Sequence, residues 1–274
     1  MLIVLAIFIA FSFMAIYAGL TIKHYTINTD KLLTKQSIRI VLIADLHSHI
    51  YGDKQSEIAM KIAKQKPDII ALAGDIADDG TPIEGTKQFL QAIQGLAPTY
   101  YVTGNHEFWS NDIVNIRAVF RSFHVTILAN TYEKITVNGA DIIIAGVDDP
   151  DVVRYEKPGM DWKKEMNNSF AKLKDQPQYM VLLSHRPELV ALYQKTPFDL
   201  VLSGHSHGGQ VRIPFLLNGL LAPNQGFFPK YAGGLYQYGN MTHIVSRGVS
   251  YSPRLPRIFN PPEIVVIELL PKHQ

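Results

Sequence analysis

Apolar residues run from Met1 to Ile22 without one charged side chain. As a helix, such a stretch spans roughly 33 Å, enough for the roughly 30 Å of bilayer hydrocarbon. The pattern predicts a transmembrane anchor over 1–22 and a polar linker over 23–37. A cleaved signal peptide is the rival reading. It calls for a basic start and a small-residue cleavage site, and neither is present. A buried core helix is a third reading. Lys23, Lys31, Lys35 and Arg39 all follow the segment. The positive-inside rule therefore predicts a single-pass protein of the cell membrane, with the body of the chain in the cytoplasm.

From residue 38 the chain alternates between apolar runs and amphipathic stretches. Ile38–Ala44, Asp68–Ala73 and Tyr100–Thr103 read as strands, because they are mostly apolar, and the first is rich in β-branched residues. Helices are expected over about 55–65, 85–96 and 111–122, and Pro67 lies just past the end of the first. The β-α-β-α-β order implies parallel strands with right-handed crossovers. Further on, strands are expected near 125–129, 132–137, 141–146, 179–184, 199–203, 209–213, 242–246 and 263–269. Helices are expected near 162–174 and 187–194. The stretch from about 213 to 260 reads as loop, loaded with Pro, Gly, Tyr and Phe. The expected fold is α/β, one domain over 38–270, with two packed sheets flanked by helices.

Composition narrows the partners. With 47% hydrophobic and 18% charged residues, the chain is that of a folded protein. A net charge of +2 gives no reason to expect nucleic acid. Cysteine is absent, so any metal must be held by His, Asp, Glu or Asn.

Five short polar motifs sit where predicted strands end. They are Asp45-Leu46-His47, Gly74-Asp75, Gly104-Asn105-His106-Glu107, Ser184-His185 and Gly204-His205-Ser206-His207. Thirty residues separate Asp45 from Asp75, and thirty more separate Asp75 from Asn105. About thirty residues is one β-α-β unit, so each step returns the chain to the same sheet edge. Open α/β sheets bind ligands at the carboxyl ends of their strands. Taken singly, Asp-x-His is a weak signal and Gly-Asp is usually a turn. Gly-His-Ser-His is more telling, since side chains two apart on an extended segment share a side. Carboxylates packed among imidazoles in an apolar setting call for a cation. Two ions sharing one carboxylate would bind phosphate oxygens and generate hydroxide near neutral pH. The sulfur-free N/O donor set suits Mn²⁺ first, with Fe or Zn²⁺ as alternatives.

Together these five motifs resemble those of the calcineurin-like metallophosphoesterases, over about residues 38 to 269. The resemblance implies a four-layer α/β/β/α sandwich of two mixed sheets. It implies one metal held by Asp45, His47, Asp75 and His207, and a second by Asp75, Asn105, His185 and His205. It also implies that His106 assists the leaving group. No motif ligand is missing, which argues against an inactive scaffold on the same fold. Gly204–Val211 and Phe259–Ile264 are similar to a membrane-anchored or exported bacterial branch that includes an outlying UDP-2,3-diacylglucosamine pyrophosphohydrolase of lipid A synthesis. A lipid-linked substrate is thereby the first expectation, and a water-soluble nucleotide or sugar phosphate the second.

Arg186 and Arg247 are candidates for gripping phosphate oxygens in a bidentate fork, with a surface salt bridge as the alternative. Asp148, Asp149 and Asp151 follow a strand, but the ligand set is complete without them, so support or a turn is expected. His49 is expected to be a loop residue or to stand behind the ligands, and His124 to be structural. Ile213–Ala222 is unusually apolar for a loop. It reads as a cover over a sheet, or as a surface for a bilayer or an acyl chain.

Overall fold

The computed structural model describes residues 15–17, 19–251 and 256–272. The first sheet has the order β1-β14-β2-β3-β4-β5 and the second β12-β13-β9-β8-β7-β6. In the first, β2 (Ile38–Ile43), β3 (Ile69–Ala73), β4 (Thr99–Val102) and β5 (Thr126–Ile127) run parallel. In the second, β7 (Ala140–Gly146), β8 (Tyr179–Leu183), β9 (Leu200–Ser203) and β13 (Met241–Val245) run parallel. Antiparallel partners β6 (Thr131–Val137) and β12 (Gly234–Tyr238) close its edges. Both sheets are therefore mixed.

Three apolar layers follow from strand periodicity. On β2, Ile38, Ile40 and Leu42 face the second sheet, meeting Ile142, Ile144, Val181 and Leu202. Val41 and Ile43 point the other way, onto Ile58, Ile62, Phe89 and Phe120. Those four lie on helices α1 (Ser56–Lys64), α2 (Glu84–Ile93) and α4 (Ile113–Ser122). A third layer joins the outer face of the second sheet to Trp162, Met166 and Phe170 of α6 (Trp162–Phe170). Burial on both faces is why the central strands read as continuous apolar runs. The four-layer α/β/β/α sandwich is thus present.

Three local expectations need correction. Residues 21–29, expected as the end of a membrane helix and a linker, form β1 (Thr21–Thr29), which pairs parallel with β14 (Glu263–Pro271). An edge strand buries one face only, so its alternation of Lys23, His24 and Thr26 with Tyr25 and Ile27 looks linker-like. The strand expected over 209–213 is replaced by a tight turn. Gly208, Gly209 and Gln210 take φ of 63°, 65° and 60°, which a strand cannot accommodate. Strand β12 lies inside the stretch expected to be loop. The first fourteen residues of the expected membrane span lie outside the described residues. Among the described residues, no helix is long and apolar enough to cross a membrane.

One buried group gives the fold a pH signature. His243 on β13 is fully buried, with Nε2 3.0 Å from Ser203 Oγ and no partner for Nδ1 among the described residues. Burial pushes its pKa from 6.5 down to about 3. Below pH 6.5 the unfolded chain gains a proton that the folded chain refuses, so stability falls as the pH falls toward 3. The slope from this group is at most about 1.4 kcal/mol per pH unit. Urea unfolding of wild type and His243→Gln should show the wild-type stability, measured relative to the variant, declining between pH 7 and 4. A pH-independent difference between the two would show that His243 does not stay neutral in the fold.

Candidate metal centre

Every motif residue sits just past the carboxyl end of a parallel strand, and the two sheets bring these ends together. Asp45 and His47 follow β2, and Asp75 follows β3. Asn105 opens the short helix α3 (Asn105–Trp109) after β4, His185 follows β8, and His205 and His207 follow β9. The loops cross-link the seam: Asp45 N donates to Gly74 O at 3.0 Å, and His47 N to Asp75 O at 2.9 Å. His205 N donates to both oxygens of Asp45, at 2.9 and 3.1 Å.

This close approach dictates sequence. A Cβ on Gly104 would lie 2.6 Å from the Asp75 backbone nitrogen, so only glycine fits there. Asp45, His47, Asp75, His205 and His207 all adopt left-handed φ, between 46° and 70°. Each such non-glycine residue costs of order 1 kcal/mol, held by the surrounding hydrogen bonds.

Two groups of donors come from the motif residues expected as ligands: Asp45, His47 and His207 form one, and Asp75, His185 and His205 the other. A third group, His47, Asp78 and His106, adjoins them. Within each group the donor atoms lie within 4.8 Å of one another. Asp75 stands between the groups: its Oδ2 is 3.0 Å from His185 Nε2 and 3.8 Å from His47 Nε2, while Oδ1 accepts from His106 N at 2.9 Å.

The ring tautomers show which nitrogens remain free. His185 Nδ1 donates to Ala73 O at 2.8 Å, so Nε2 of a neutral ring faces the Asp75 carboxylate as acceptor against acceptor. A proton or a metal ion reconciles them. His205 Nε2 lies 2.8 Å from Asn224 Oδ1, which leaves Nδ1 facing His185 Nε2 at 3.2 Å. His47 Nδ1 donates to Asp78 Oδ1 at 2.9 Å. His47 Nε2, Asn105 Oδ1 and His207 Nδ1 are buried with no hydrogen-bond partner among the described residues. Orphaned buried acceptors beside two buried carboxylates fit a pair of divalent cations.

The electrostatics agree. Burial alone would lower the pKa of His185, but the charge of Asp75 and the contact with it push it up to about 10. Burial, then the charges of His185 and Arg186, drive His205 well below its ordinary value. Burial raises Asp45. The protein has assembled donors whose charges conflict until cations are added.

Three supporting residues, Asp78, Asp79 and Asn224, carried no sequence signal strong enough to single them out, and a fourth, Glu107, lay in a motif without an assigned role. Asp78 holds His47 at 2.9 Å and also approaches His106 Nδ1, at 3.0 Å. Asp79 Oδ1 lies 2.6 Å from His106 Nδ1. The Glu107 carboxylate, within a recognised motif, accepts from the backbone N–H groups of Asp75, Ile76, Ala77 and Gly104 at 2.7–3.0 Å. It ties the β3 loop to the β4 loop. Asn224, in the stretch expected to be loop, reaches back to His205 and Arg186.

Arg186 is buried and forks onto Asp149, Nε to Oδ2 at 2.5 Å and Nη2 to Oδ1 at 2.9 Å. Its Nη1 meets Asn224 Oδ1 at 2.6 Å and lies 3.2 Å from His205 Nε2. It braces a ligand from behind and is already fully engaged. Arg247 pairs with Glu263, Nε to Oε2 at 2.7 Å, and lines a cavity outside both donor groups. Asp148 binds Arg117 and Thr103, and His49 packs against Tyr51.

The family profile of the calcineurin-like phosphoesterases matches residues 38–209. This chain belongs to that family. The family normally uses divalent metals to hydrolyse phosphoester bonds, and the two donor groups are candidates for such a metal site. The phosphoesterase is 32% identical over 268 residues to an uncharacterised metallophosphoesterase of Helicobacter pylori strain J99, covering 94% of this chain and 67% of that one. It is also 32% identical over 229 residues to a bovine transmembrane protein with a metallophosphoesterase domain, covering 78% of this chain and 49% of the relative. The chain thus spans about half to two thirds of the length of these relatives. The NAD nucleotidase of Haemophilus influenzae shares the fold, with a TM-score of 0.56 at 19% identity, covering 78% of this chain and 45% of that one.

Because Asp78 orients His47 and reaches His106, Asp78→Asn should weaken divalent-metal affinity by roughly 10–100-fold, the usual scale for a partner behind a ligand. Titration of metal-free protein with Mn²⁺, followed by calorimetry, reads this directly. Unchanged affinity would show that Asp78 plays no part in orienting His47.

Proposed function

We propose that this phosphoesterase hydrolyses a phosphodiester or pyrophosphate bond on a lipid-linked substrate, with UDP-2,3-diacylglucosamine as the first choice. The observation that carries the hydrolytic reading is the pair of donor groups flanking Asp75, with His106 at their rim. Bound divalent ions supply charge neutralisation for phosphoryl oxygens and activation of water. Asp45, His47 and His207 would hold one ion, and Asn105, His185 and His205 the other, with Asp75 placed between the two groups.

His106 carries the proton. Burial works against its charge, but the charge of Asp75 and the bonds to Asp78 and Asp79 push its pKa up to about 9. Nδ1–H donates to Asp79 and Asp78, so the Nε2–H of the protonated ring is the one left for a leaving oxygen. Nε2 stands 4.0 Å from Asp75 Oδ2, on the side of the shared carboxylate. Holding a proton at that atom near neutral pH is what a general acid requires.

The lipid part of the reading is supported by the segment that carries Asn224. Phe227 and Phe228 follow it closely and are exposed, at 70% and 69% of their surfaces. Apolar side chains beside a phosphate site suit an amphiphile. The same reading holds the enzyme at the cytoplasmic face of the cell membrane. It is supported by the uncharged N-terminal stretch and the basic residues after it.

Two experiments test the parts separately. With a bis-aryl phosphodiester and Mn²⁺, Asp75→Asn should lose both turnover and bound metal. His106→Ala should keep both metals while turnover falls roughly 10²–10⁴-fold. Loss of metal in the His106 variant would move that residue from proton transfer to ligation. For the substrate, kcat/KM for UDP-2,3-diacylglucosamine should exceed that of its deacylated analogue. A Phe227→Ser/Phe228→Asn variant should lose most of the difference. Equal values in wild type would favour a water-soluble phosphodiester and leave the hydrolytic reading intact.

A further inference from the structure

A cavity of about 440 Å³ lies outside the metal centre, lined by Arg212, Arg247, Phe215, Leu216, Leu217 and Phe259. Its cations are unbalanced. Both Glu263 oxygens are taken by Arg247, through its backbone N–H, Nε and Nη2. Arg212 Nη1 is buried with no hydrogen-bond partner among the described residues. Burial, then the neighbouring charge of Arg247, lowers the Arg212 pKa, as two guanidinium groups sharing one carboxylate should.

The rim of the cavity is apolar and rigidly presented. Ile213 N donates to Leu217 O at 3.0 Å, and Leu217 N donates back to Ile213 O at 2.8 Å. This tight turn lifts Phe215 and Leu216 into solvent, at 111% and 81% exposure. A turn built this way normally carries polar residues. Exposed Phe and Leu at its tip, beside two arginines that share one carboxylate, match the interfacial layer of a bilayer, where apolar side chains enter the acyl boundary and cations meet lipid phosphates.

A second observation concerns the chain itself. Ala15 O accepts a hydrogen bond from Phe259 N at 2.7 Å, and Phe259 lines this same cavity. Ala15, which follows the uncharged residues 1–14 in the sequence, therefore lies at the face that carries Phe215 and Leu216.

We infer that the 213–217 turn and the Arg212–Arg247 pair form a docking surface for an anionic lipid bilayer, with Phe215 and Leu216 inserted among the acyl chains and Arg212 on a lipid phosphate. The surface is independent of which bond the metal centre cleaves. It holds the phosphoesterase in one orientation on the membrane, and a flexible tether alone would not.

The absence of cysteine makes the test direct. Leu216→Cys carries a nitroxide at the turn, and Leu33→Cys carries one as control. Leu33 is 90% exposed and next to Thr34, which bonds Asn138 in the β6–β7 turn at the sheet ends opposite the metal centre. The full chain is bound to vesicles of phosphatidylcholine with or without phosphatidylglycerol. At position 216, oxygen accessibility should rise and nickel-complex accessibility fall several-fold, more so with phosphatidylglycerol. Position 33 should stay in water, and Arg212→Gln should remove the preference for the anionic lipid. Hydrolysis of the soluble bis-aryl phosphodiester by the Leu216 variant should stay at the wild-type level, which separates this outcome from any failure of the metal centre. A label at 216 as wet as that at 33 would overturn the inference. So would a label that dries without vesicles while the protein doubles in mass, since the occupant would then be a second copy of the chain.

Discussion

Two carboxylates, Asp45 and Asp75, are buried at the seam between the sheets with 0% and 1% of their surfaces exposed, and the rest of the arrangement answers to them. A buried carboxylate is costly unless it is hydrogen-bonded and charge-compensated. Backbone N–H groups of His205 and His106 provide the hydrogen bonds. Compensation of charge falls to the imidazoles, and through them to cations. The crossing of the two sheets is what places acids from the first sheet within reach of His185, His205 and His207 from the second.

That crossing requires backbone strain and a scaffold to hold it. Five of the seven motif residues expected as ligands sit in the left-handed region, where L residues are disfavoured. The Glu107 carboxylate and its four backbone donors fix the loops after β3 and β4 as one unit. On the other side, the Asp149–Arg186–Asn224 chain braces His205. Strain is thus present in the loops that carry the motif residues, as it is in other loops, among them those of Lys54, His124 and Phe215, while the strands beneath keep dry packing.

The two arginines singled out in the sequence show how similar signals diverge in three dimensions. Arg186 neighbours a ligand in the chain and in space, yet its fork is filled by Asp149. Arg247 also meets a carboxylate, but that carboxylate leaves Arg212 Nη1 without a hydrogen-bond partner among the described residues. The first pair stabilises the metal centre, and the second leaves positive charge at an apolar rim.

The sequence by itself determined the layered α/β fold and drew seven ligands and His106 toward one edge. Apolar runs of strand length and a thirty-residue spacing of polar motifs are local facts that hold whatever the packing. It did not reveal β1, because an edge strand buries only one face and its alternation resembles a polar linker. Nor did it single out Asp78, Asp79 and Asn224, which lie in exposed-looking turns and gain a role only through contacts with distant residues. The turn at Gly208–Gln210 defeated the strand expected there, since four successive positive φ angles, from His207 to Gln210, cannot continue a strand. Only the tertiary structure decided which free nitrogens face the crevice. That choice depends on hydrogen bonds to Ala73, Asp78 and Asn224, which lie between 19 and 112 residues from the rings they orient.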